Sequence, residues 1–255
     1  MGKPHALSGA AAWLVIAPVA ADVTGLFDMP LQIWLAGAVV SAGAALAPDL
    51  DHGTNSFARG SLGPVTRGIS NVVAIGGHRK ITHSWLGVVL ATALLGVGIA
   101  TPRLFNTGWA GPLGAVAPLI VVFMLLAFAL AAAGLPPYRV RPPMRFIMRA
   151  GFAAAATAGI AAFVQGDWGW LMFALPLGLI VHCIGDAITI AGVPWLWPLG
   201  RSYRLARMQA GGPTERYILT PIFIIVILVS LAFGIKDGNV FGYPTDTEQA
   251  NSQPR

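Results

Sequence analysis

The chain has 255 residues, 56% of them hydrophobic and 10% charged, with a mean hydropathy of +0.70. Soluble domains hold roughly 45–50% apolar residues, and most of this length falls in apolar runs close to the roughly 17–20 residues that cross a bilayer, so a separate soluble catalytic domain is excluded. The net charge of +6 comes with a single cysteine, Cys183, which rules out intrachain disulfides and a multi-cysteine zinc site.

Hydropathy punctuated by Pro, Gly and charge predicts an all-α, polytopic transmembrane helix bundle. About seven spans are expected, at 7–21, 31–47, 84–100, 114–134, 146–165, 168–190 and 217–234. Residues 1–235 read as one helical domain and 236–255 as a polar, disordered tail. The N-terminal stretch MGKPHALSGAAAWLVIAPVAADV mimics a signal peptide, but a second apolar span follows at once, so it is read as the first helix. The second span ends in ALAPDLDHG, and residues 61–75 then space Val65, Ile69, Val72 and Val73 at helical intervals, as in a short helix lying in the interface. HRKITHSWLG opens the third span, with Thr82 expected to cap it. LPPYRVRPP, between the fourth and fifth, reads as a rigid basic connection. GLIVHCIGDAIT closes the sixth, and WLWPLGRSYRLARM follows as an aromatic and basic belt that anchors to lipid.

Lys and Arg set the orientation. Thirteen of the sixteen lie before the first span or after the second, fourth and sixth, against Arg103, Lys236 and Arg255 elsewhere. This positive-inside bias predicts a cytoplasmic N-terminus. It also accounts for the excess positive charge without a nucleic-acid partner; membrane lipids are the expected contact.

Ionisable groups at membrane depth are costly and mark function. Asp49, Asp51 and His52 end the second span, His78 and His83 precede or open the third, and His182 and Asp186 sit four apart on one face late in the sixth. His5 lies just before the first span. By the predicted topology all of these share the cytoplasmic face, while Asp22, Asp28 and Asp167 fall on the other. Imidazole and carboxylate donors together suit a divalent transition metal, zinc first and manganese or iron as alternatives. The expected ligands are His5, Asp49, Asp51, His52, His78, His83, His182 and Asp186, with Asp49 and Asp51 both reaching a common ion from a turn. Cys183 points about 100° from His182 on a helix and reads as packing.

PDLDH, HRKITHS and HCIGDAITIAGVPWLWP, in this order, resemble the YdjM-like family of inner-membrane proteins. His5 through Gly9 and the later GGPTER, with Glu215, also fit; Lys80 stands where the family pattern usually has a glycine. The resemblance spans roughly residues 5–220 and implies a bacterial inner-membrane location, a divalent metal and hydrolysis, and the pattern also looks like zinc phospholipase C enzymes. The expected activity is metal-assisted hydrolysis of a phosphoester in a lipid or lipid-linked substrate, with Asp51, Arg79 and Asp186 acting in the chemistry and Arg79 stabilising phosphate charge. Glu215 reads equally as an outer ligand or base and as a solvated loop carboxylate. A phosphatidic-acid phosphatase of the metal-free type is excluded because WGWLMFALPLGLIVH supplies no phosphate-holding arginine before His182. An Asp-x-Asp glycosyltransferase would not call for five histidines. A divalent-cation carrier and a metal-stapled scaffold are the alternatives; carriers place their ligands near the midplane, whereas these lie at helix ends.

Overall fold

Pro and Gly punctuate the apolar runs into nine α-helices among the described residues, which in this computed structural model are 2–52, 54, 56–105, 110–164, 167–236 and 239–240. They are α1 (Gly2–Thr24), α2 (Leu31–Ala44), α3 (Phe57–Gly60), α4 (Pro64–Val73), α5 (Trp85–Phe105), α6 (Ala110–Ala132), α7 (Pro142–Val164), α8 (Leu171–Ala187) and α9 (Thr220–Phe233). The seven long helices coincide with the seven predicted runs. Four helical segments, Gly2–Thr24, Leu31–Asp51, Pro142–Val164 and Glu215–Phe233, are long and apolar enough to cross a membrane. Trp85–Ala100, Val116–Ala132 and Leu171–Ala187 are shorter apolar helices.

Small residues let the long helices close on α2. A Cβ on Gly9 of α1 or Gly178 of α8 would stand 2.5 or 2.6 Å from the Ser41 carbonyl oxygen, and one on Gly43 only 2.0 Å from the Leu125 carbonyl of α6. Close backbone approach of this kind is how helices associate where lipid removes the hydrophobic drive between them. Two indoles lock α1 to α2 reciprocally: Trp13 Nε1 donates to Trp34 O at 2.8 Å, and Trp34 Nε1 to Leu14 O at 3.1 Å. Interhelical bonds of this type contribute about 0.6–2 kcal/mol each. Outward faces remain apolar, as on α9, where Ile222, Ile225, Leu228 and Val229 are exposed.

The short helix expected within residues 61–75 forms as α4. It exposes Val65, Ile69 and Val72 and buries Thr66 and Ser70, the latter donating to Leu50 O at 2.6 Å. Its polar side thus braces the turn after α2 while its apolar side faces outward.

One expectation changes. Ser84, not Thr82, caps α5: Ser84 Oγ accepts from Gly87 N at 3.2 Å, and a 3-10 turn, Ile81–His83, precedes the helix. The polar tail falls mostly on 237–238 and 241–255, outside the described residues, while Ile235–Lys236 and Asn239–Val240 pair as a short antiparallel ladder.

Candidate metal centre

Pro48 ends α2 and starts a 3-10 turn, Pro48–Asp51, because its ring fixes φ and removes a donor. At three residues per turn Asp49 and Asp51 point about 120° apart, so the two carboxylates diverge rather than converge on one ion. Asp49 turns towards His182, whose Nε2 is 4.0 Å from Asp49 Oδ1. Asp51, 1% exposed, turns towards the segment before α5. There Arg79 takes a left-handed φ of 54°, a conformation few side-chain-bearing residues adopt. This bend puts three donors on one carboxylate: His78 Nδ1 lies 2.7 Å from Asp51 Oδ1, Arg79 N donates to Oδ2 at 2.9 Å, and the Thr82 hydroxyl donates to Oδ2 through a short hydrogen bond.

The imidazole tautomers follow from these partners. Because Thr82 spends its proton on Asp51, its oxygen is left to accept from His83 Nδ1 at 2.9 Å. His182 Nδ1 must donate to the Ala45 carbonyl, 2.7 Å away, since a carbonyl only accepts. As neutral imidazoles both rings therefore carry their proton on Nδ1 and present a bare Nε2. These two Nε2 atoms face each other 3.1 Å apart. Asp186 Oδ2 lies 3.5 Å from the first and 3.8 Å from the second. That oxygen is buried and has no hydrogen-bond partner. Arg79 Nη2 is 2.8 Å from it, an ion-pair distance, but is not aligned to donate. His5 completes the group from α1, with Nε2 3.4 Å from Asp186 Oδ1 and its ring centroid 4.2 Å from that of His182.

Acceptors with no proton to share repel one another, and buried ones are costly unless something electropositive sits among them. Among the described residues, the one guanidinium within 4.0 Å of the carboxylates of Asp49, Asp51 and Asp186 is that of Arg79, against Asp186. Two sets of donor atoms lie within 4.8 Å of one another: His5, His182 and Asp186, and Asp49, His83 and His182. Mixed imidazole and carboxylate donors fit a divalent transition metal, so the residues present suit the expected ion.

Of the eight expected ligands, five gather in these two sets: His5, Asp49, His83, His182 and Asp186. Asp51 and His78 stand behind them. Asp51 holds His83 through Thr82, as the carboxylate partners of ligating histidines do. His78 is 42% exposed at its side chain, and its hydrogen bond to Asp51 raises its pKa above the ordinary imidazole value. His52 lies at the rim, its ring 4.9 Å from that of His78 and its Nδ1 3.5 Å from Thr54 Oγ1. Arg79 spans both layers, with Nη1 donating to Gly192 O at 3.1 Å. The loop that carries Gly192 is pinned over the end of α8 by Leu205 N to Ala187 O, 2.7 Å, and to α5 by Trp85 N to Trp195 O, 3.0 Å. Glu215 is buried and outside both donor sets; its Oε2 accepts from Gly211 N at 2.6 Å. Cys183 packs against Ala187 and Val193, as expected.

Thr82 carried a signal that the capping reading missed: a hydroxyl directly before a ligand-type histidine. Arg145 and Arg149, counted at first only among the basic residues that set the orientation, share a cavity of about 450 Å³ with Asp49 and His52. On another side, an apolar groove of about 370 Å³ between α1, α8 and α9 reaches His5 and Gly185.

No curated protein and no solved structure matches the chain. The sequence profile of the YdjM inner membrane proteins matches residues 1–240, and the chain belongs to that family.

Proposed function

We propose that the chain is a multi-pass inner-membrane hydrolase that uses a divalent metal, zinc first, to cleave a phosphoester of a lipid or lipid-linked substrate at the cytoplasmic face. The observation that carries this reading is the pair of Nε2 atoms on His83 and His182, 3.1 Å apart beside the buried Asp186 Oδ2. His5, Asp49, His83, His182 and Asp186 would hold the ion. When bound, it supplies a water acidified towards neutrality and polarises a phosphoryl oxygen. Asp51 fixes the Nδ1 tautomer of His83 through Thr82, which keeps Nε2 directed at the cluster. Arg79 is clipped to Asp51 by its backbone and reaches Asp186 with its side chain, so its guanidinium stands where charge on a phosphate would be offset.

A lipid substrate is supported by the apolar groove, whose walls include Ile16, Phe223 and Val226 and whose inner end includes His5. An acyl or prenyl chain seated there would present its head group to the cluster. The cytoplasmic assignment rests on the thirteen-to-three distribution of Lys and Arg.

Elemental analysis after purification without chelator tests the reading. Stoichiometric metal in the wild type and its loss in His83→Ala and His182→Ala are expected, followed by turnover in a screen of phosphoesters and phospholipids. A metal-free wild-type protein would sink the proposal. Metal flux into proteoliposomes without ester turnover would identify a carrier instead.

A further inference from the structure

Arg149, in α7, is 3% exposed and is held by neutral acceptors alone. Its Nε donates to Leu135 O at 2.8 Å, and its Nη1 to Ser61 O at 2.6 Å and Gly60 O at 3.3 Å. Among the described residues no carboxylate lies within 4.0 Å of it, and its Nη2 makes no hydrogen bond. A buried charge without a counter-charge is costly, so this one calls for an anion from outside the chain. Arg145, one turn earlier on the same face, stacks over Tyr138 with 5.0 Å from guanidinium carbon to ring centroid, and donates to Tyr138 O at 3.3 Å. Arg67 approaches from α4. The three arginines line one cavity of about 450 Å³, together with Asp49 and His52 of the metal centre's edge. Asp49 is the one acidic residue in that lining, and it pairs with none of the three within 4.0 Å among the described residues.

We propose that Arg67, Arg145 and Arg149 form a binding pocket for a phosphate group, placed against the Asp49 and His52 side of the metal centre. Planar guanidinium forks match the oxygens of phosphate, and three of them around one cavity exceed what membrane anchoring asks of a cytoplasmic loop. Arg139 and Arg141, exposed and outside the cavity, show what simple anchors look like in the same stretch. The same chemistry is presented by a lipid head group and by a soluble phosphate.

The test uses the full chain in neutral detergent, treated with chelator so that metal contributes nothing. Inorganic phosphate is titrated by calorimetry, and retention of phosphatidic acid over phosphatidylcholine is read by native mass spectrometry. Arg149 is left intact because it ties Gly60, Ser61 and Leu135 together. Instead R67Q/R145Q is compared with R139Q/R141Q, which removes the same charge outside the cavity. Saturable binding of one phosphate group per chain is expected, weakened about tenfold or more in R67Q/R145Q and unchanged in R139Q/R141Q. Binding of inorganic phosphate supports the pocket with a soluble ligand, and retention of phosphatidic acid alone supports it with a lipid head group. Binding of neither probe, or equal weakening in both double variants, overturns it. Because the protein is metal-free throughout, failure of the phosphate pocket and failure of the metal reading are read separately.

Discussion

Asp51→Asn separates a residue that holds a ligand from one that is a ligand. The side chains are isosteric, and the Asn carbonyl can still accept from Arg79 N and Thr82 at the position of Oδ2. The charge is what disappears. Hydrogen bonds to a charged group contribute about 1.5–3 kcal/mol against about 0.5–1.5 for neutral pairs. For the two buried donors the metal-free protein should therefore lose about 2 kcal/mol of stability. The His78 contact adds little, because that ring is 42% exposed and solvent screens it. Metal affinity should fall by about 10–100-fold, the usual effect of removing a carboxylate behind a ligating histidine. Competition against a chromophoric chelator in detergent measures the affinity, and thermal unfolding of chelated protein measures the stability. Affinity unchanged within about threefold would show that His83 does not depend on Asp51, against the outer-partner expectation. A loss as complete as that of His182→Ala would make Asp51 a direct ligand. Either result refutes the arrangement in which Thr82 relays between the carboxylate and the ring.

Two further outcomes concern the metal-free fold. The folded pKa of His78 is raised by Asp51 above its unfolded value of about 6.5. Its stabilisation is therefore fully present below about pH 6.5 and is lost as pH rises through the folded value. The melting temperature of chelated wild type relative to His78→Gln should fall across that window, and a relative rise would contradict the assignment. Gly43→Ala should destabilise the bundle by about 1–3 kcal/mol or more, because its Cβ would meet the Leu125 carbonyl backbone at 2.0 Å. Gly151→Ala on α7, which meets nothing within 4 Å, should be neutral or slightly stabilising in the same thermal unfolding measurement.

The helices were legible because length and apolarity alone decide them: each run between Pro, Gly or charge became one long helix. His182 and Asp186 were legible too, since a four-residue spacing means one face wherever an α-helix persists. The turn residues were not. Asp49 and Asp51 look equivalent in PDLDH, and the helical turn Pro48–Asp51 sends one to the donor cluster and the other behind it. His78 and His83 would lie on different faces of a continuous helix. The left-handed backbone of Arg79 removes that constraint and brings both imidazoles to Asp51. Arg149 shows a different limit: its partners Gly60 and Ser61 are nearly ninety positions away in sequence, so no local pattern distinguishes it from Arg139.

The surroundings of the cluster bear on what it would act upon. His5 is shared with an apolar groove open along α1 and α9, while Asp49 and His52 are shared with a cavity walled by three arginines. His182 is common to both donor sets, so the groove end and the arginine end meet at one imidazole. A purely soluble phosphoester would leave the groove without use, and a neutral lipid would leave the buried charge of Arg149 unmatched. An amphiphile bearing phosphate has chemistry that would match both walls. Phospholipids and lipid-linked phosphates are therefore the first substrates to screen, ahead of either soluble esters or neutral glycerides.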